Sequence, residues 1–221
     1  MKTTKSVLII VNGDAQSNLD HLICNHDFVI AVDGGLHHLL SLGLFPDLLI
    51  GDLDSISEDE LKTCQDQQVE ILRYKPEKDE SDLELAIREA KKRNFGKFTI
   101  ACATGGRLDH TFSNIALLFH PSLAGSEVSI QGEKTMVFMV DSEITLDTNP
   151  GDIISLFPWG DPALGVNTVG LAYPLTYETL LPYETRGLSN VCLANQASVS
   201  LQQGQLLLFH ISLSSQERQP S

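Results

Sequence analysis

Positive charge is scarce in this chain: 15 Lys and Arg stand against 29 Asp and Glu, for a formal net charge of −14 over 221 residues. Such a surface repels nucleic acid and anionic membranes, so neither is expected as a partner. A phosphate-bearing ligand would need a divalent cation, because few ammonium or guanidinium groups are available to neutralise it. Cysteine is sparse too. Cys24, Cys64, Cys102 and Cys192 lie far apart with no CxxC spacing, and they read as ordinary reduced thiols. No apolar run approaches the roughly 20 residues of a membrane-spanning helix. The opening MKTTKSVLIIVNGDAQ holds an apolar stretch too short, and too soon followed by Asp14, for a secretory signal. A soluble cytoplasmic protein is the expectation. Internal repeats and low-complexity tracts are also lacking, and the closing SSQERQPS is expected to be a frayed tail.

What is present is a rhythm that changes midway. Through the first half, SVLIIV, FVIAV, DLLI, VEILRY and KFTIACA are short apolar runs, some continuous enough to be buried on both faces. Between them SEDELKTCQDQ, SDLELAIREAKKR and DHTFSNIALLF have helical composition or spacing. Alternation of this kind predicts an α/β domain with a mainly parallel sheet, ending at residue 124. From 125 to 221 the segments EVSIQG, TMVFMV, SEITLD, DIISLFPW, NTVGLAY and ASVSLQQGQLLLFHIS follow one another across turns without a helical period. They predict an all-β antiparallel sandwich domain.

The predicted parallel strands share one kind of ending. Asn12-Gly13-Asp14, Asp33-Gly34-Gly35, Gly51-Asp52-Leu53-Asp54 and Gly105-Gly106-Arg107 all place carboxylates, glycines or both just after an apolar run. In an open α/β sheet the carboxyl ends of the strands form the ligand crevice, so these clusters are expected to converge in space. Asp52 and Asp54 sit two apart on an extended segment and share a face. Two carboxylates that close raise each other's pKa unless a cation sits between them, and Mg²⁺ suits carboxylates together with phosphate oxygens. The plainer alternative is that Asp54 or Ser55 caps the helix near SEDEL.

Elsewhere the residues leave two readings open. Gly34 and Gly35 serve either a simple turn or close backbone approach to phosphates, with Asp33 holding a ribose or a metal-bound water. Ser81 and Glu84 have the spacing of a capping box, which leaves Lys78, Asp79 and Asp82 over; Asp82 would be a third carboxylate for Mg²⁺. In TGGRLDH, glycines before a helix start make an anion site and Arg107 can grip phosphate oxygens. Asp109 is an N-cap or a participant, and His110 reads as a helix-surface residue. Tyr173 is either core or a ring face for a cationic heterocycle. Ser189 and Asn190 form a turn or orient a ligand.

Taken in order, Asp33-Gly34-Gly35, GDLDS at 51–55, KDESD at 78–82, GGRLDH at 105–110, GLAYPL at 170–175 and GLSN at 187–190 resemble the thiamine pyrophosphokinase family, particularly its bacterial form. The likeness spans nearly the whole chain. It implies transfer of pyrophosphate from ATP to the hydroxyethyl oxygen of thiamine, releasing AMP, and a homodimer with active sites between subunits. Asp52, Asp54 and Asp82 would carry Mg²⁺. Asp33, Gly34, Gly35, Lys78, Thr104, Gly105, Gly106 and Arg107 would serve ATP, and Asp109 would orient or deprotonate the thiamine hydroxyl. Tyr173, Ser189 and Asn190 would meet thiamine. Tyr173 stands where the family often has Trp, Ser81 where it commonly has Thr, and SNVC where bacterial members often have SNEF. Two rivals are an Mg²⁺-dependent phosphatase of the haloacid dehalogenase type, suggested by the DxD of LLIGDLDS, and a non-catalytic nucleotide sensor.

Overall fold

The computed structural model describes residues 4–213; the expected frayed tail lies outside them. The chain divides into two compact units, Met1–Glu133 and Lys134–Ser221. The first unit is a six-stranded parallel sheet. Its strands are β1 (Ser6–Ile10), β2 (Phe28–Val32), β3 (Leu48–Gly51), β4 (Glu70–Arg73), β5 (Lys97–Ala101) and β6 (Glu127–Gln131). Pairing runs β6-β5-β1-β2-β3-β4, all parallel. The order reverses beside β1: later strands are added outward on one side through β2, β3 and β4, and on the other through β5 and β6. The carboxyl ends of β1 and β5 therefore flank a topological switch point, where such sheets open a crevice.

The helices are α1 (Leu19–Cys24), α2 (Gly35–Leu40), α3 (Glu58–Asp66), α4 (Asp82–Lys92) and α5 (Leu108–Ala116). The two six-residue helices α1 and α2 carry too few turns to show a period, and they do not figure in the sequence expectation. The start of α3 is set by Ser57, whose hydroxyl accepts from the Glu60 amide while the Glu60 carboxylate accepts from the Ser57 amide. That reciprocal pair satisfies two end amides at once, so neither Asp54 nor Ser55 is the cap. At α4 only half of the expected box forms. Ser81 accepts from the Glu84 amide, while Glu84 pairs with Arg88 one turn on. Leu83, Ala86, Ile87 and Ala90 form the buried stripe of α4, which packs on β1, β2 and β3. On the central strands β1, β2, β3 and β5 nearly every residue is buried, as a sheet covered on both faces requires.

The boundary between units falls later than residue 124. EVSIQG, grouped from its alternation with the β-rich half, forms β6 and pairs in parallel with β5. Its burial alternates along the strand, and a half-buried parallel strand and an antiparallel one share that pattern.

The second unit contains β7 (Thr135–Val140), β8 (Glu143–Asp147), β9 (Ile153–Pro158), β10 (Ala163–Val169), β11 (Glu178–Leu180), β12 (Asn190–Val191), β13 (Gln196–Ser200) and β14 (Leu206–Ile211). One antiparallel layer runs β12-β9-β14-β7, the other β11-β10-β13-β8. Their facing residues, among them Val140, Ile154, Leu156 and Leu208 from one layer and Leu146, Val166, Leu180 and Val199 from the other, form a single apolar core. This is the expected sandwich.

Candidate active site

A cavity of about 720 Å³ opens at the switch point of the first unit. Five segments line it: residues 11–14 after β1, Val32 and Asp33 at the end of β2, residues 81–83 at the start of α4, residues 103–107 after β5, and His110, Thr111 and Asn114 on α5. The strand-end clusters predicted to meet do so here, apart from the one after β3. The floor is stitched by backbone bonds between the exits of β1 and β5. The Gly13 amide donates to the Cys102 carbonyl at 2.8 Å, and the Asp14 amide to that of Thr104 at 2.7 Å. His38 Nε2–H donates to the Gly13 carbonyl at 3.0 Å, and Asn114 Nδ2 to that of Ala103 at 2.9 Å, so each loop is held from a neighbouring helix.

Asp33 is the most perturbed acid of the crevice. Its φ is +43°, a left-handed conformation uncommon outside glycine. Its Oδ1 accepts from the Leu53 amide at 3.0 Å. Burial is the main reason that its carboxyl is pushed up to about 7, and the nearby Asp82 and Asp52 carboxylates raise it further against the lowering pull of that amide. Gly51, with φ +148°, is what lets Asp33 in: a Cβ there would lie 1.9 Å from Asp33 Oδ1. The two glycines after Asp33 serve the protein's own packing. A Cβ on Gly34 would fall 2.4 Å from Asn12 Nδ2, and one on Gly35 would fall 2.2 Å from the Ile10 carbonyl.

The three acids predicted for metal occupy different settings. Asp82 lines the cavity and pairs with Lys78 Nζ at 2.5 Å. Asp52 is half-buried, and its Oδ1 accepts from the Asp54 amide at 3.1 Å. Asp54 is exposed. Among the described residues no three His, Cys, Asp or Glu side chains already stand as a ready set of metal ligands. The donor chemistry nevertheless suits Mg²⁺: Asp52, Asp54 and Asp82 are hard oxygen donors, and the Asp82 and Asp52 carboxylates add to the burial that raises the neighbouring Asp33 carboxyl.

Of the residues assigned to ATP, Asp33, Thr104, Gly105, Gly106 and Arg107 line the cavity, whereas Gly34, Gly35 and Lys78 do not. Arg107 precedes α5, and its guanidinium is engaged by Asp109, with Nη2 to Oδ2 at 2.5 Å and Nε to Oδ1 at 3.2 Å. Asp109 therefore does not cap α5; the Arg107 guanidinium holds its carboxyl down at about 2. His110 is exposed on α5, as a helix-surface residue is, and in the first turn of that helix it also borders the cavity beside the glycine loop. His38, Thr111 and Asn114 also belong to the site. Nothing in their local sequence separates them from helix-surface positions.

In the second unit Tyr173, Ser189 and Asn190 come together. Tyr173 is 69% exposed rather than in the core. Asn190 Oδ1 accepts from the Tyr173 amide at 3.0 Å, and Asn190 Nδ2 donates to the Tyr173 carbonyl at 2.6 Å. Ser189 has φ +57°, and its amide donates to the buried Ser155 hydroxyl.

A family model described as the thiamin pyrophosphokinase catalytic domain matches residues 19–130, and one described as the thiamin pyrophosphokinase vitamin B1 binding domain matches residues 141–206. The chain belongs to the thiamin pyrophosphokinase family. It is an enzyme of that family, which places it in thiamine diphosphate synthesis. A thiamine pyrophosphokinase of Bacillus subtilis is 28% identical over 209 residues, covering 92% of this chain and 97% of the relative. The crystal structure of a Bacillus subtilis thiamine pyrophosphokinase superposes with a TM-score of 0.85 at 24% identity, over 95% of this chain and all of that one. Another from Geobacillus thermodenitrificans gives 0.80 at 25% identity, over 95% and 99% of the two chains. The fold reaches beyond bacteria: the thiamin pyrophosphokinase of Candida albicans gives 0.80 at 18% identity, over 95% and 90%.

Proposed function

We propose that the chain transfers the pyrophosphoryl group of ATP to the hydroxyethyl oxygen of thiamine, giving thiamine diphosphate and AMP, with Mg²⁺ required. The observation that carries this reading is the cavity at the β1/β5 switch point, where a glycine loop with Arg107 meets the carboxylates of Asp33 and Asp82. A polyphosphate suits the loop amides and the guanidinium. It does not suit bare carboxylates unless a cation accompanies it. Asp52, Asp54 and Asp82 would hold Mg²⁺, which when bound supplies positive charge to the polyphosphate and to the departing AMP.

The chain's own residues do the rest by position. Asp33, with Gly34 and Gly35 behind it, shapes the nucleotide side of the crevice. Thr104, Gly105 and Gly106 offer a loop close to the phosphates. Arg107 turns from Asp109 toward them, and Lys78 balances Asp82. Asp109, released from Arg107, orients or deprotonates the thiamine hydroxyl. Tyr173, Ser189 and Asn190 provide the thiamine side, the exposed phenol ring lying against the cationic heterocycle. The working form is a cytoplasmic homodimer with active sites between subunits. Among the described residues no helix is long and apolar enough to cross a membrane.

The test is to supply thiamine, ATP and Mg²⁺ together and to analyse both products. Thiamine diphosphate and AMP in equal amounts are expected, and neither should form when one substrate is omitted. Phosphate release from an aspartyl-phosphate would instead favour a dehalogenase-type phosphatase, and binding without turnover a nucleotide sensor.

A further inference from the structure

The two hydrogen bonds of Asn190 have a consequence for the thiamine side. Residues 170–173 run antiparallel to residues 190–193. The Leu193 amide donates to the Gly170 carbonyl and the Ala172 amide to the Val191 carbonyl, both at 2.8 Å, around a bridge between Leu171 and Cys192. The next donor along this short ladder would be residue 174, which is a proline without an N–H. Across from Tyr173, the Asn190 side chain takes over. Its amide behaves as a spare peptide group, accepting from the Tyr173 N–H and donating to the Tyr173 carbonyl.

Asn190 is itself pinned from the other side. It pairs with Ile154 on β9, and the preceding Ser189 is held in its left-handed conformation by a 3.0 Å bond from its amide to Ser155 Oγ. The Leu156 amide donates to the Gly187 carbonyl, and a Cβ on Gly187 would lie 2.5 Å from the Leu156 carbonyl. The turn thus joins a rigid strand to the backbone of an exposed tyrosine.

The geometry points to Asn190 as a positioning residue that acts on thiamine through Tyr173: it fixes the backbone from which the ring projects. This rests on the proposed reading that the Tyr173 ring meets thiamine. It also separates two residues of that site by role, the ring as the contact and the amide as its support.

A double-mutant cycle decides it. Tyr173→Ala, Asn190→Ala and the double variant are compared for the KM of thiamine, the KM of ATP and kcat, with thermal melting to confirm folding. Asn190→Ala is expected to raise the thiamine KM about tenfold, as fits the loss of two hydrogen bonds of modest net worth. The ATP KM should not change, and the double variant should match Tyr173→Ala alone. If the two effects multiply, or if Asn190→Ala leaves the thiamine KM unchanged, the support role is overturned. If Tyr173→Ala itself leaves the thiamine KM unchanged, the reading of the ring as a thiamine contact falls first and takes the inference with it. Should Asn190→Ala not fold, the same cycle with Asn190→Asp decides, since it keeps the acceptor for the Tyr173 amide and removes the donor to the carbonyl.

Discussion

Among the described residues, nothing gives the Asp54 carboxylate a structural duty. It is exposed, it does not cap α3, and among the described residues its amide alone is engaged, by Asp52. A side chain that stability does not need, beside a crowded set of acids, is a clean probe of chemistry. Asn in place of Asp54 should lower turnover by about 100-fold or more while leaving the melting temperature unchanged; stopped-time assays beside thermal melts would show both. Asp152 is the opposite case. It is fully buried in the second unit, its Oδ2 accepting from the Asn149 amide at 2.8 Å and from His210 Nε2 at 3.1 Å, its Oδ1 from the Leu213 amide. Burial pushes its carboxyl up, but the Asn149 amide, His210 and the Leu213 amide together bring it below the ordinary value. A carboxylate depressed in the folded state adds stability that is full above the unfolded value near pH ~4 and is lost as pH falls through the lower folded one. Asp152→Ala should cost about 3 kcal/mol at neutral pH, because buried donors lose their acceptor. Urea unfolding of the wild type and of this variant from pH 7 to pH 3 should show the difference shrinking only at the acid end.

Among the elements, the exit of β3 shows how a strand end builds a site. Gly51 and Leu53 both take positive φ values, Asp33 tucks its carboxylate where a side chain at 51 would be, and Leu53 caps that carboxylate with its amide. Gly51→Ala should therefore destabilise the first unit by about 2 kcal/mol or more and lower activity together, since the methyl and the Asp33 carboxylate cannot share the space. Denaturant midpoints and rates measured on one preparation would check it. Elements of this size differ in how far their residues announce them. The buried parallel strands and α4 could be read from continuous apolar runs and a long amphipathic stripe. The short helices α1 and α2 could not, having under two turns each, and the alternation of β6 does not encode the parallel direction in which it pairs with β5. The caps turned on a single position: Ser57 rather than Asp54 or Ser55.

For the whole molecule, the legible part was the rule that strand carboxyl ends share an edge. Chain order and residue type at Asn12, Asp33 and Gly105 were enough to predict a common crevice, because a parallel sheet leaves those ends together whatever the connecting helices do. What the sequence left hidden depends on side-chain direction. His38 and Asn114 support the floor loops from helix faces, Arg107 folds onto Asp109, and Asn190 turns toward the Tyr173 backbone. None of these follows from spacing: Arg107 and Asp109 are only two residues apart yet nothing in the motif fixes their pairing, and the other three contacts span 11 to 25 residues of sequence. The central claim, that this edge directs attack to the β-phosphorus of ATP, is tested most directly by ATP radiolabelled at the β-phosphate, given with thiamine and Mg²⁺. All transferred label should appear in thiamine diphosphate and none in AMP; label retained in ADP, with thiamine gaining a single unlabelled phosphate, would contradict it.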